Sequence, residues 1–67
     1  MTKKEIGNIV RDARNHQDMT HYMVGKSAKI HQDAVVGIEQ GSSNYTIDTL
    51  LKVCDVLGLK LVILKQE

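Results

Sequence analysis

The sequence predicts a mainly all-α domain of four to five short helices, closed by one β-strand that pairs across a dimer. Three observations carry this expectation. Apolar residues recur at helical spacing through most of the chain. Thr2, Thr20 and Thr46 stand where N-caps belong, and Gly41 and Gly58 where helices should stop. The final stretch, Leu59 to Lys65, changes to a β-rich run bounded by glycine and charge.

Thr2 and Glu5 have capping-box spacing, and Ile6, Val10 and Ala13 form one face of the helix that follows. Lys3, Lys4, Arg11 and Arg14 lie off that stripe. The polar segment Asn15 to Asp18 ends the first helix. Met19 before Thr20 resembles a hydrophobic staple ahead of an N-cap. The second helix is short and carries Met23, Val24 and Ser27/Ala28. A third begins at His31 or Gln32, with Val35 and Ile38 inward, and stops at Gly41. After the loop Ser42 to Tyr45, Thr46 caps a fourth helix with apolar positions Ile47, Leu50, Leu51, Val53, Cys54 and Leu57. A lone strand at 59–65 needs a ladder partner, and no other segment of the chain reads as a strand. The expected partner is the same strand of a second copy. Residues 1–59 then form the main domain, and 60–67 a dimerisation strand and tail in which Leu61, Val62, Ile63 and Leu64 meet the partner.

Composition agrees. Of 67 residues, 19 are Ile, Leu or Val, while Phe and Trp are absent and Tyr22 and Tyr45 are the only aromatics, so the core must be aliphatic. A chain this short commonly needs a staple. With Cys54 as the single cysteine no internal disulfide is available, and no His/Cys/Asp/Glu cluster supplies a metal. Oligomerisation is therefore the expected staple. No apolar run nears the roughly 20 residues of a membrane helix, and no export signal opens the chain. The reducing cytoplasm is the expected compartment. Net charge is +1, but residues 1–30 hold six Lys/Arg against three Asp/Glu, and residues 31–67 three against five. The basic half points to an anionic partner.

Two short helices joined by a tight turn are a helix-turn-helix pattern. His21 to Gln40 resembles the twenty-residue motif of the phage-repressor/Cro-like (XRE) family, and the resemblance extends from about Ile6 to Leu59. Val24, Ile30, Val35 and Ile38 fill its apolar positions, and Gly25 sits where a small residue allows close crossing. Gly37-Ile38-Glu39-Gln40-Gly41 matches the end of the recognition helix, and Thr46 to Lys52 with Leu57-Gly58-Leu59 matches the next helix. Three departures stand out. Lys29 replaces the usual turn glycine, Tyr45 a frequent proline, and Ala13 a larger aliphatic residue. The recognition helix also lacks Arg and Lys.

The resemblance implies a homodimeric, sequence-specific regulator of transcription, a repressor, acting on double-stranded DNA without a cofactor. In the family's geometry the third helix enters the major groove. Gln32, Asp33, Val36 and Gly37 then face the bases. Gln32 suits adenine, Val36 a thymine methyl and Asp33 cytosine N4. Phosphate contacts are expected from Thr20, His21, Lys26, Lys29, His31, Ser42, Ser43, Asn44, Tyr45 and Thr46. Similar repressors pair an arginine at the end of the first helix with a glutamate of the recognition helix, which here are Arg14 and Glu39. A helix-turn-helix followed by Leu-Gly-Leu and one strand also resembles antitoxins of the HipB type, so a toxin protein is the alternative partner.

An enzyme is the other rival. His16 and His21 are five apart and share no helix face, His31-Gln32-Asp33 has no nucleophile context, and Cys54 lies on an apolar face. A domain of this size leaves little chain to form a catalytic cleft, and no enzymatic activity is expected.

Overall fold

Every helix among the described residues starts on a side chain that accepts from its own first turn. The computed structural model describes residues 1–42 and 44–66, and the helices among them are α1 (Lys3–His16), α2 (His21–Ala28), α3 (Gln32–Gln40) and α4 (Ile47–Leu57). The Glu5 amide donates to Thr2 Oγ1 at 3.1 Å, and the Thr2 amide donates to Glu5 Oε1 at 3.0 Å, completing the expected capping box. Thr20 Oγ1 accepts from the Met23 amide and Thr46 Oγ1 from the Thr49 amide. Each cap satisfies an amide that the helix itself leaves unpaired, worth about 1 kcal/mol. Gly41 and Gly58 end α3 and α4 in the left-handed conformation.

The aliphatic core gathers residues from all four helices. Val10, Val24, Val35, Ile38 and Val53 are fully buried, joined by Ala28, Leu50, Cys54 and Leu57. Met19, Ile30, Tyr45 and Leu59 close its edges. Gln17 Nε2 donates to the Leu57 carbonyl at 2.8 Å, tying the turn after α1 to the end of α4.

Gly7 sets how closely α1 and α3 approach. A Cβ there would lie 2.4 Å from the Glu39 carbonyl oxygen and 2.5 Å from that of Ile38, so only glycine fits the crossing. Within a helix glycine costs about 1 kcal/mol against alanine. Here that cost is offset by packing the two backbones together.

Several expectations need correction. Four helices, with no fifth, form among the described residues. Met23, Ile47 and Leu51, counted among the apolar positions of their helices, are 45%, 60% and 41% exposed. Helical spacing placed them beside the buried stripe, but the neighbouring helices are too short to cover so wide a face. No strand forms among the described residues either: 59–66 follow α4 as irregular chain. A strand is stabilised by its ladder, and nothing within this chain supplies one. Leu61 is half-buried, whereas Val62, Ile63 and Leu64 are exposed.

Candidate nucleic-acid interface

The turn between α2 and α3 is built on backbone fit. Lys29 caps α2 at φ 60° and ψ 42°, and its amide bonds back to Gly25 and Lys26. The left-handed conformation costs a non-glycine residue about 1 kcal/mol. The Ile30 amide donates to the Gly25 carbonyl at 2.9 Å. A Cβ on Gly25 would meet the Ile30 carbonyl at 2.9 Å, which is why a residue with no side chain stands there. His31 then caps α3: its Nδ1 accepts from the Asp33 amide at 3.1 Å. With Nδ1 so engaged, the neutral ring carries its proton on Nε2, on an exposed side chain.

Behind α3 lies one charged cluster. Glu39 is 6% exposed, the buried charged residue among those described. Arg14 holds it with a fork, Nε to Oε2 at 2.6 Å and Nη2 to Oε1 at 3.1 Å, while Arg14 Nη1 donates to the Met19 carbonyl at 2.9 Å. His21 Nε2 adds a third bond, to Oε1 at 3.0 Å. Burial alone would push the Glu39 carboxyl up. The hydrogen bonds and charges of Arg14 and His21 outweigh it and hold the group below the ordinary glutamate range. The bond to Glu39 likewise raises Arg14, against its own desolvation. The expected pair is thus present, and it is a triad that fixes α1, α2 and α3 to one another. His21 was expected only against phosphate, so its bond to Glu39 was missed.

The outer edge of α3 runs through Gln32, Val36 and Gln40, at spacings of four. Gln32 and Asp33 are exposed at the start of the helix, and Val36 and Gly37 are half-buried in its middle. Gln32 borders a hollow shared with Tyr22, Lys26, Ile30 and His31. Val36 and Gln40 border a second one, walled by Lys4, Asn8 and Arg11 of α1 and floored by the Glu39 cluster. Gln40 and the α1 side chains were not among the expected site residues. The polar stripe Lys4, Asn8, Arg11 beside the apolar one was the available sign.

The other expected residues divide. Lys26 of α2 lines the hollow beside Gln32, and Thr20 is exposed at the N-cap of α2. Lys29 faces elsewhere, into a hollow with Lys52 and Asp55 of α4. The structure does not bring it to Gln32, because its left-handed cap turns the side chain toward α4. In the loop, Ser42 and Asn44 are exposed, and Asn44 Oδ1 accepts from Lys3 Nζ at 3.0 Å. Tyr45 is half-buried against the core, with Lys3 Nζ 5.4 Å above its ring centre. Thr46 is occupied as a cap and also bonds Thr49 Oγ1 at 3.1 Å. Ser43 lies outside the described residues.

Cys54 sits in the core, where burial, helped by Asp55, pushes its thiol up and keeps it protonated. No group of three or more His, Cys, Asp or Glu among the described residues can hold a metal. No helix of the described residues is long and apolar enough to cross a membrane.

Comparison with known proteins agrees with this geometry. No curated protein matches the chain. The helix-turn-helix family profile matches residues 10–64, most of the chain, covering α2, the turn and α3. That family is one of DNA-binding regulators and not of enzymes. With its two short helices, strained turn and outward-facing third helix, the chain belongs to the helix-turn-helix family of the phage-repressor/Cro (XRE) kind.

Proposed function

We propose that this DNA-binding regulator is a sequence-specific repressor that acts in the cytoplasm, bound to the nucleoid, as a homodimer on a palindromic operator. The observation that carries the reading is Gln32: exposed at the first turn of α3, on a helix locked from behind by Arg14, His21 and Glu39. A helix held so firmly can present an amide at fixed register, as bidentate adenine reading through N6 and N7 requires. Val36 suits a thymine methyl, Asp33 cytosine N4, and Gly37 a close backbone approach. Thr20, His21, Lys26, His31 and the Ser42–Thr46 loop serve the phosphates. Residues 61–64 pair with their copy in a second chain, setting the two α3 helices about 34 Å apart for successive major grooves.

Selection from random duplexes, followed by titration of the selected site, tests the base-reading role. Gln32→Ala should weaken that site by roughly 1–3 kcal/mol while leaving thermal unfolding unchanged. Unchanged affinity and preference would remove Gln32 from the reading role. For the dimer, deletion of residues 60–67 should leave monomers in sedimentation velocity, and a surviving dimer would refute pairing through the tail. A second reading, an antitoxin that holds a kinase toxin and represses its own operon, is favoured by Ile63 and Leu64 standing 87% and 82% exposed. A stable complex with the product of an adjacent kinase-sized reading frame would decide for it.

A further inference from the structure

The recognition helix carries no Lys or Arg, so the positive charge that holds a duplex must come from elsewhere in the fold. The cleft between α1 and α3, about 390 Å³, supplies it. Lys4, Asn8 and Arg11 stand on one wall of α1, and Val36 and Gln40 on the facing edge of α3. Gly7 brings these walls together, because its missing side chain lets α1 lie against the backbone of Ile38 and Glu39. The Arg11 guanidinium is steadied by Nη2 donating to Asn8 Oδ1 at 3.0 Å. Its acidic neighbour Asp12 is 3.9 Å away, and both side chains are well solvated, so the charge is weakly offset. The acid in the cleft floor, Glu39, is already paired with Arg14 and hydrogen-bonded to His21.

We infer that Arg11 and Lys4 of α1 grip the phosphates along one side of the groove that α3 enters. Val36 faces the bases on the proposed reading, so the α1 wall beside it lies over the adjacent backbone. The hollow with Lys26 and His31, next to Gln32, lies over the other strand. The α3 edge of Gln32, Val36 and Gln40 is thus a neutral ridge with Lys4 and Arg11 on one side and Lys26 on the other, and the Asp33 carboxylate, 3.5 Å from His31 Nδ1, makes the α1 side the more cationic of the two. This inference rests on the DNA-reading role of α3, but it concerns affinity and not sequence choice.

The test is a salt titration of binding, using the selected duplex and a scrambled one, with wild type, Arg11→Ala, Lys4→Ala and the double variant. Lys52→Ala, which removes an α4 cation paired with Asp48, is the control for net charge. Thermal unfolding confirms that each variant is folded. Each α1 substitution should lower the slope of log affinity against log salt by about 0.9, and weaken both duplexes by a similar factor. Arg11→Lys should restore the slope, and Lys52→Ala should leave it at the wild-type value. Wild-type slopes in the folded Arg11→Ala and Lys4→Ala proteins would overturn the inference while leaving base reading by Gln32 standing. A slope equally reduced by Lys52→Ala would also overturn it, since net charge and not contact would then explain the effect. Failure of the wild type itself to bind duplex would overturn both readings.

Discussion

The two ends of the chain are held in opposite ways. Residues 2–16 are fastened by a capping box, a glycine crossing and a charged fork, so that α1 becomes a fixed brace for α3. Residues 61–66 are fastened at Leu61 and then present Val62, Ile63 and Leu64 to solvent. Met1 and Ile9 are also exposed, and they share one hollow with Leu61 and Val62. The contrast teaches that α3 is braced within one chain, whereas part of the apolar surface of that chain stays exposed. Polar contacts demand exact partners and are settled locally. Apolar area asks only for coverage, and a second copy can provide it.

Breaking the brace should cost most. Arg14→Ala leaves Glu39 buried with only His21, and should destabilise the fold by about 3–5 kcal/mol in chemical denaturation. Gly7→Ala should cost about 1–3 kcal/mol, because the added Cβ meets backbone and α1 must move away from α3. Its DNA affinity should fall with the displacement of α3, which separates it from a substitution that merely loosens the tail. The brace also has a pH signature. Folding lowers the Glu39 pKa, so its contribution is full above the ordinary glutamate range and is lost as pH falls through the lower folded value. Acid unfolding of Glu39→Gln should accordingly show a shallower pH dependence than wild type. A smaller effect is a gain: Lys29→Gly should add roughly 0.5 kcal/mol, as relief of left-handed strain exceeds the extra chain entropy. At the loose end, Ile63→Lys with Leu64→Lys should leave the unfolding free energy of dilute protein within about 0.5 kcal/mol of wild type. A large loss there would show that the tail already belongs to the core.

What the sequence made legible is what is local. Thr2, Thr20, Thr46, Gly41 and Gly58 read correctly because capping depends on a few neighbouring residues. The strain at Lys29 and the Arg14–Glu39 pair came from resemblance, which carries tertiary information that spacing does not. Gly7 was silent because its reason lies in the approach of α3, some thirty residues away. Arg11 and Lys4 read only as lying off the apolar stripe for the same cause: nothing in a single helix says which neighbour its polar face will meet. Met23, Ile47 and Leu51 show the converse limit. Periodicity finds a possible apolar face, but its covered width depends on how far the opposing helices reach.

Glu39 has a consequence for motion. One carboxylate receives hydrogen bonds from α1 and α2 while belonging to α3. Opening any one of these helices would strand the charge, so the three are expected to open together. In native-state hydrogen exchange their slowest amides should share one opening free energy, while the amides of 60–66, beyond the Leu59 bond to Cys54, exchange first. A recognition helix in such a unit cannot fray alone, and DNA would meet it already ordered.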